Sequence, residues 1–99
     1  MSNKVTTIRV GNLEIDTVRR LVTKHGYPIE LSTKEFDLLN YMAQNRGTPI
    51  DRQVLLEHVW GEFDAYMFSR TVDVHISTLR KKLGQGIIET RKGFGYVIN

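Results

Sequence analysis

The chain has 99 residues, 14 Lys and Arg against 11 Asp and Glu, a formal net charge of +3 and no cysteine. That length fits one domain, since two would each be too small to hold a core unaided. The missing thiols exclude a disulfide scaffold, zinc–thiolate sites and a cysteine nucleophile, and no apolar run approaches the roughly 18 residues of a membrane helix.

The first five residues, Met1 to Val5, carry no apolar signal region, so a reducing cytosol is the expected compartment. Residues 1–7 hold little pattern and read as a linker remnant or disordered N-terminus, with one domain over residues 8–99. Leu13, Ile15 and Thr17 then alternate with Glu14 and Asp16, Leu21 and Val22 follow, and Ile29 and Leu31 flank Glu30. Turn signals lie at Gly11-Asn12, Asp16-Thr17 and His25-Gly26-Tyr27-Pro28. Period-two alternation between turns predicts a small antiparallel meander.

Ser32-Thr33-Lys34-Glu35 has the form of a capping box that starts a first helix. Phe36, Leu39, Met42 and Ala43 recur at helical spacing, with Gly47 as a left-handed stop and Pro49 beyond it. Asp51 is a good N-cap for a second helix with the stripe Leu55, Leu56, Val59 and Trp60, ended by Gly61. A third helix is expected from near Ser69, with Val72, Ile76, Leu79 and Leu83 as its apolar stripe and Gly84 as its stop. Arg80, Lys81 and Lys82 fall in its last turn, where cations complement the helix dipole. Residues 87–91 and 96–98 form two β-rich runs around Lys92-Gly93-Phe94-Gly95, which predicts a hairpin.

The charge is unevenly spread along this order. Residues 1–29 carry a net +3, residues 30–64 a net −4 and residues 65–99 a net +4. Such a division suggests two faces with different partners.

Catalysis finds little support. His25, His58 and His75 are scattered over a turn and two helices, without metal-ligand spacing, and no phosphate-binding loop occurs. No cofactor or metal is expected, and the chain is read as a non-enzyme. Nucleic-acid binding fits better. The third helix must turn Arg70, Thr71, Asp73, Val74, His75, Ser77, Thr78 and Lys81 away from its apolar stripe, with Arg80 at the margin. Cations and hydroxyls suit phosphates, and side chains that reach groove edges read bases. Val74 either meets a thymine methyl or widens the core stripe; its neighbours four residues away, Arg70 and Thr78, are polar. Arg91 and Lys92 put two further bases at the hairpin turn, within reach of a phosphate or a minor groove.

The run Arg70-Thr71-Val72-Asp73-Val74-His75-Ile76, with Leu79-Arg80-Lys81-Lys82-Leu83 and Thr90-Arg91-Lys92-Gly93-Phe94-Gly95-Tyr96, closely resembles the C-terminal effector domain of OmpR/PhoB-type response regulators. Leu31-Ser32-Thr33-Lys34-Glu35-Phe36-Asp37-Leu38-Leu39 resembles that family's first helix, and Arg52 through Gly61 its second. The likeness runs from about Ile8 to Ile98.

This resemblance implies an α+β winged helix-turn-helix: a four-stranded antiparallel N-terminal sheet, three helices and a C-terminal β-hairpin wing. It implies bacterial, cytoplasmic transcription regulation in a two-component system, through sequence-specific binding of double-stranded DNA. The third helix would lie in the major groove and the wing at the adjacent minor groove. Arg70, Thr71, Val74, His75, Ser77, Thr78, Arg80 and Lys81 would be the helix contacts, and Thr90, Arg91, Lys92 and Tyr96 the wing contacts, with Tyr96 open to packing in the core instead. Trp60 would pack or approach the DNA backbone. Glu62, Phe63, Asp64 and Tyr66, in the segment before the third helix, would form the loop that touches RNA polymerase. The family often carries more basic residues where this chain has Ser77-Thr78, so the target cannot be borrowed from relatives. The isolated domain is expected to be monomeric and to bind tandem half-sites as a pair. A receiver domain does not fit in 99 residues. An excised effector domain is therefore expected, or a stand-alone factor, with a receiver domain and a sensor histidine kinase as partners of the full-length protein. The rival reading is a winged helix for protein–protein contact whose basic face is only solvated. RNA binding is disfavoured, because no aromatic platform lies on the strands.

Overall fold

In the computed structural model, which describes residues 6–61 and 70–99, alternation in the first thirty residues builds a four-stranded antiparallel sheet. Its strands are β1 (Thr7–Val10), β2 (Leu13–Asp16), β3 (Leu21–Lys24) and β4 (Tyr27–Ile29), hydrogen-bonded in chain order. The register sets Ile8 opposite Ile15, Ile15 opposite Val22 and Val22 opposite Ile29, so one apolar row crosses all four strands. Ile15 and Val22 are buried, and Ile8 and Ile29 pack against the core from the margins. A one-residue slip would turn that row to solvent, which is why this register is fixed.

Two boundaries differ from the sequence reading. Thr7, expected in the linker, already pairs with Asp16, and the Thr6 carbonyl accepts from the Thr17 amide and hydroxyl. Tyr27 and Pro28, expected in a turn, belong to β4, and the turn narrows to His25-Gly26. β4 is an edge strand, where a proline forfeits no ladder bond facing solvent.

The first helix, α1 (Thr33–Gln44), starts as its capping box requires. The Glu35 amide donates to Ser32 Oγ, and the Ser32 amide donates to Glu35 Oε1 at 2.8 Å. The helix stops at Asn45, two residues before Gly47, whose amide donates instead to the Ile98 carbonyl. Asp51 caps α2 (Arg52–Trp60) by accepting from the Gln53 amide, and Gly61 closes it at φ +92°. In α3 (Arg70–Leu83), Val72, Ile76, Leu79 and Leu83 are fully buried, as their spacing predicts. They meet Phe36, Leu38, Leu39 and Met42 of α1 and Leu55 and Leu56 of α2 in one core.

Lysines tie these layers together by capping helix C-termini. Lys34 Nζ donates to the Val59 carbonyl at the end of α2, and Lys24 Nζ donates to the Leu83 carbonyl at the end of α3. Both supply positive charge to the negative end of a helix dipole. Lys82 Nζ reaches Glu35 Oε1 at 2.7 Å and the Glu30 carbonyl at 3.1 Å. Glu35 is 6% exposed. Burial pushes its carboxyl up, but the Lys82 hydrogen bond and charge and the Ser32 amide outweigh that and hold it below its ordinary value of 4.5.

The chain ends in β5 (Glu89–Arg91) and β6 (Gly95–Val97), an antiparallel hairpin. It is joined to the helices through a bridge between Ile50 and Tyr96, with amide-to-carbonyl bonds of 2.8 and 3.0 Å in the two directions. Gly95 makes this approach possible. Its φ is +122°, and a Cβ there would lie 2.0 Å from the Ile50 carbonyl oxygen.

Two outcomes follow for stability. Gly95→Ala should destabilise by several kcal/mol, because backbone against backbone has no flexible end to yield and the φ is strained for an L residue. A thermal melt that moves by less than a few degrees would contradict this account. Glu35→Gln should cost about 1–2 kcal/mol near pH 7, or roughly 4–16 °C in Tm for a domain of this size. A carboxyl whose folded pKa is depressed gives stability that is present above its unfolded value and lost as pH falls through the folded one. The natural chain should therefore lose more stability than the Gln variant on acidification below about pH 4.5. Denaturant titrations at pH 7 and pH 3 check both the cost and its convergence.

Candidate nucleic-acid interface

Helix α3 presents two faces because its buried positions recur at three and four residues. The opposite face holds Val74, Ser77 and Lys81, all exposed. Val74 is 56% exposed, so it does not widen the core stripe. An exposed β-branched residue inside a helix gains nothing from packing and lowers helix propensity. The Thr78 hydroxyl donates back to the Val74 carbonyl at 3.1 Å, which keeps its oxygen lone pairs for a donor from outside. Arg70 opens the helix.

His75 is fixed in one tautomer. Its Nδ1 lies 2.8 Å from the Thr71 carbonyl, which can only accept, so Nδ1 carries the hydrogen. The neutral ring then offers Nε2 as an acceptor. Its edge meets the Trp60 ring with centroids 4.9 Å apart. Trp60 is half-buried against the core, and the Lys34 ammonium sits 5.9 Å from its ring centroid. The structure thus brings Trp60 and His75 together where α2 ends beside α3.

At the C-terminal half of α3, Arg80 turns toward the hairpin. Its guanidinium donates to the Ile88 carbonyl at 3.0 and 3.2 Å and to the Thr90 hydroxyl at 2.7 Å. It also lies 5.7 Å from the centroid of Tyr96. Arg80 and Thr90, expected at the interface, are therefore joined to each other and orient the wing.

Tyr96 is also expected as a wing contact, but it is only 7% exposed. Its hydroxyl donates to Asp73 Oδ1 at 2.5 Å, and Arg52 Nη1 lies 3.5 Å from Asp73 Oδ2. Burial raises the Tyr96 pKa, and the hydrogen bond to Asp73 and its charge raise it further, so the phenol stays a donor. Arg52 and Ile50 escape a sequence reading that searches for basic residues on the third helix and hairpin, and Asp73, placed on the outward face, is not assigned this bracing role. The acid in the first turn of α3 was a signal, because an anion on a basic face needs an internal partner.

The wing tip remains open. Arg91 and Lys92 are both exposed, with Arg91 Nε 3.5 Å from Glu89 Oε1. Lys92 has no hydrogen bond or ion pair with another described residue. Phe94, which the sequence reading passed over, is 70% exposed. Between the wing and the start of α2 lies a cleft of about 430 Å³, bordered by Arg52, Arg91 and Lys92. Glu62, Phe63, Asp64 and Tyr66, the expected polymerase loop, lie outside the described residues. Among the described residues no cluster of three or more His, Asp or Glu could hold a metal ion, and no helix is long and apolar enough to cross a membrane.

Comparison with known proteins gives this arrangement a context. Residues 26–98 match the family model described as "Transcriptional regulatory protein, C terminal". The chain is 45% identical over 86 residues to the transcriptional regulatory protein VxrB of Vibrio cholerae, covering 87% of this chain and 35% of VxrB. It is 40% identical over 96 residues to the transcriptional regulatory protein PrrA of Mycobacterium leprae, covering 93% of this chain and 41% of PrrA. The chain thus spans little more than a third of the length of these relatives. Among solved structures, the RstA DNA-binding domain of Klebsiella pneumoniae, in complex with the RstA box, aligns with a TM-score of 0.83 at 38% identity, over 95% of this chain and 97% of that one. The response regulator DrrB of Thermotoga maritima, an OmpR/PhoB homolog, aligns with a TM-score of 0.87 at 32% identity, over 97% of this chain and 45% of that one. With its four-stranded sheet, three helices and wing, the chain belongs to the family of C-terminal domains of OmpR/PhoB-type transcriptional regulatory proteins.

Proposed function

We propose that this chain binds double-stranded DNA sequence-specifically as the effector domain of a bacterial two-component response regulator. The observation that carries the reading is Val74, exposed among Ser77, Thr78 and Lys81 on a helix whose other face is fully buried. Placed in a major groove, that face offers a methyl contact for thymine, hydroxyls for base edges and a cation for phosphate. Arg70, Thr71 and His75 Nε2 extend it, and Arg91 and Lys92 meet backbone at the adjacent minor groove. The similar RstA domain, solved in complex with the RstA box, supports DNA as the ligand. Trp60 packs His75 and approaches a phosphate from the end of α2.

The wider setting is part of the same proposal. The chain works in the cytoplasm, joined to a receiver domain and answering to a sensor histidine kinase. It binds tandem half-sites as a pair, and it uses no cofactor and catalyses no reaction. Glu62, Phe63, Asp64 and Tyr66 form a contact for RNA polymerase, since acids and aromatics between two DNA-facing helices suit a protein interface.

Selection of binding sites from a random duplex pool at physiological salt tests the core of this reading. An enriched motif is expected. Weak, salt-sensitive retention without one would favour the protein-contact alternative. On the selected site, Lys92→Ala should weaken all duplexes alike and flatten the salt slope by about one ion. Val74→Ala should cost about 1 kcal/mol, mainly at thymine positions; equal loss on every sequence would remove Val74 from direct readout. Replacing Glu62 and Asp64 by Ala in the full-length regulator should spare DNA affinity and reduce transcription. Unchanged transcription from an intact DNA complex would refute the polymerase contact.

A further inference from the structure

The wing tip carries an apolar side chain that neither the core nor any described contact employs. Phe94 is 70% exposed, between Gly93 at φ +84° and Gly95 at φ +122°. Its amide donates to the Arg91 carbonyl at 2.8 Å, which closes the turn and fixes the backbone from which the ring projects. Before Gly93 come two exposed cations, Lys92 in the turn and Arg91 at the end of β5. An exposed phenyl is costly to solvate and invites self-association. Serine or asparagine would serve a turn equally well.

The tip does not move independently of α3. Tyr96 is bonded to Asp73, and Arg80 grips Thr90 of β5 and Ile88 just before it. The Ile50 bridge holds β6 from a third side. The ring therefore stands at a set place relative to the helix that reads bases. It reaches roughly 7 Å beyond the Thr90–Tyr96 pair, at about 3.3 Å per strand residue.

Resting on the DNA reading above, we propose that Phe94 is a minor-groove wedge that makes the domain selective for deformable base steps. Arg91 and Lys92 draw the tip to the phosphates that border a minor groove. The phenyl ring then enters that groove and presses between two base pairs, partly unstacking them. Apolar side chains flanked by cations act in this way, and the cost of opening depends on the step. Pyrimidine–purine steps such as TA open readily, whereas A-tracts are stiff. Selectivity thus arises at a position where no base-edge hydrogen bond is made. A second copy of the chain is the competing occupant. DNA is favoured because the ring shares its turn with two cations and is anchored to the proposed reading helix.

The test uses the 99-residue chain and duplexes with a single selected half-site, differing only in the step beneath the wing, TA against AA. Binding is read by fluorescence anisotropy, and unstacking by 2-aminopurine placed at that step. The natural chain should prefer TA by about ten-fold, within the usual range for one altered base pair, and brighten the probe. Phe94→Ala should abolish both effects while selecting the same helix-contacted motif, and its melting temperature should be unchanged. Phe94→Leu should keep part of the preference. Equal step preference in the natural chain and Phe94→Ala would overturn the wedge. So would an effect of Phe94→Ala confined to duplexes with two half-sites, which would assign the ring to a second copy. Failure of the natural chain to enrich any motif would instead overturn the DNA reading, and the wedge with it.

Discussion

The bond from the Tyr96 hydroxyl to Asp73, 2.5 Å long, is the contact on which the arrangement of the outer elements depends. Asp73 belongs to α3 and Tyr96 to β6, and Arg52 of α2 completes the group at 3.5 Å. Three elements distant in sequence are thereby referred to one carboxylate. The half-buried setting strengthens the bond, since water competes less for either partner. It also resolves an electrostatic conflict. On the proposed reading, a free carboxylate in the first turn of α3 would repel the polyanion drawn to the rest of that face. Hydrogen-bonded by a phenol and offset by a guanidinium, it becomes a strut.

The same economy governs the cations. The C-terminal third carries a net +4, which on sequence alone maps onto helix and wing. Arg80 and Lys82 are largely committed to internal acceptors, the first to Ile88 and Thr90 and the second to Glu35 and Glu30. Among the described residues there, Lys81, Arg91 and Lys92 are exposed cations without such a commitment to the core. On the proposed reading these three would neutralise few phosphates, and their counterion-release contribution would be small. On the same reading, affinity would come from base-edge and shape contacts and from pairing of copies. The basic balance of the chain serves its architecture as much as its ligand.

How legible this was in the sequence follows from the range of the forces involved. The capping box at Ser32 and Glu35, the Asp51 cap and the α3 stripe are local in sequence, so spacing alone predicts them. The exposure of Val74 also follows locally, because its neighbours one turn away are polar. The strand at Tyr27-Pro28 was hidden because Pro signals a turn unless the strand is known to be an edge. The role of Arg80 and the partners of Tyr96 were hidden for a different reason. A basic or aromatic residue near a proposed interface looks the same in sequence whether it faces outward or braces the element behind it. The acceptors that turn Arg80 inward lie eight and ten residues away. Those that hold Tyr96 lie 23 residues away at Asp73 and at Ile50 beside Gly95.

Bracing of this kind changes what the remaining exposed side chains can do. A loose hairpin would lose entropy on binding, and its tip would average over many positions. A hairpin held by the Ile50 bridge, the Arg80 fork and the Tyr96–Asp73 bond has already met that cost in folding. Val74 and Phe94 are the large apolar side chains left exposed on the two elements so joined. Their separation is set by the fold and not by the ligand. On the proposed reading, a duplex would have to present a methyl-bearing edge in one groove and an accommodating step in the next at one fixed spacing. Rigid coupling turns two weak apolar contacts into a single demand on sequence and shape.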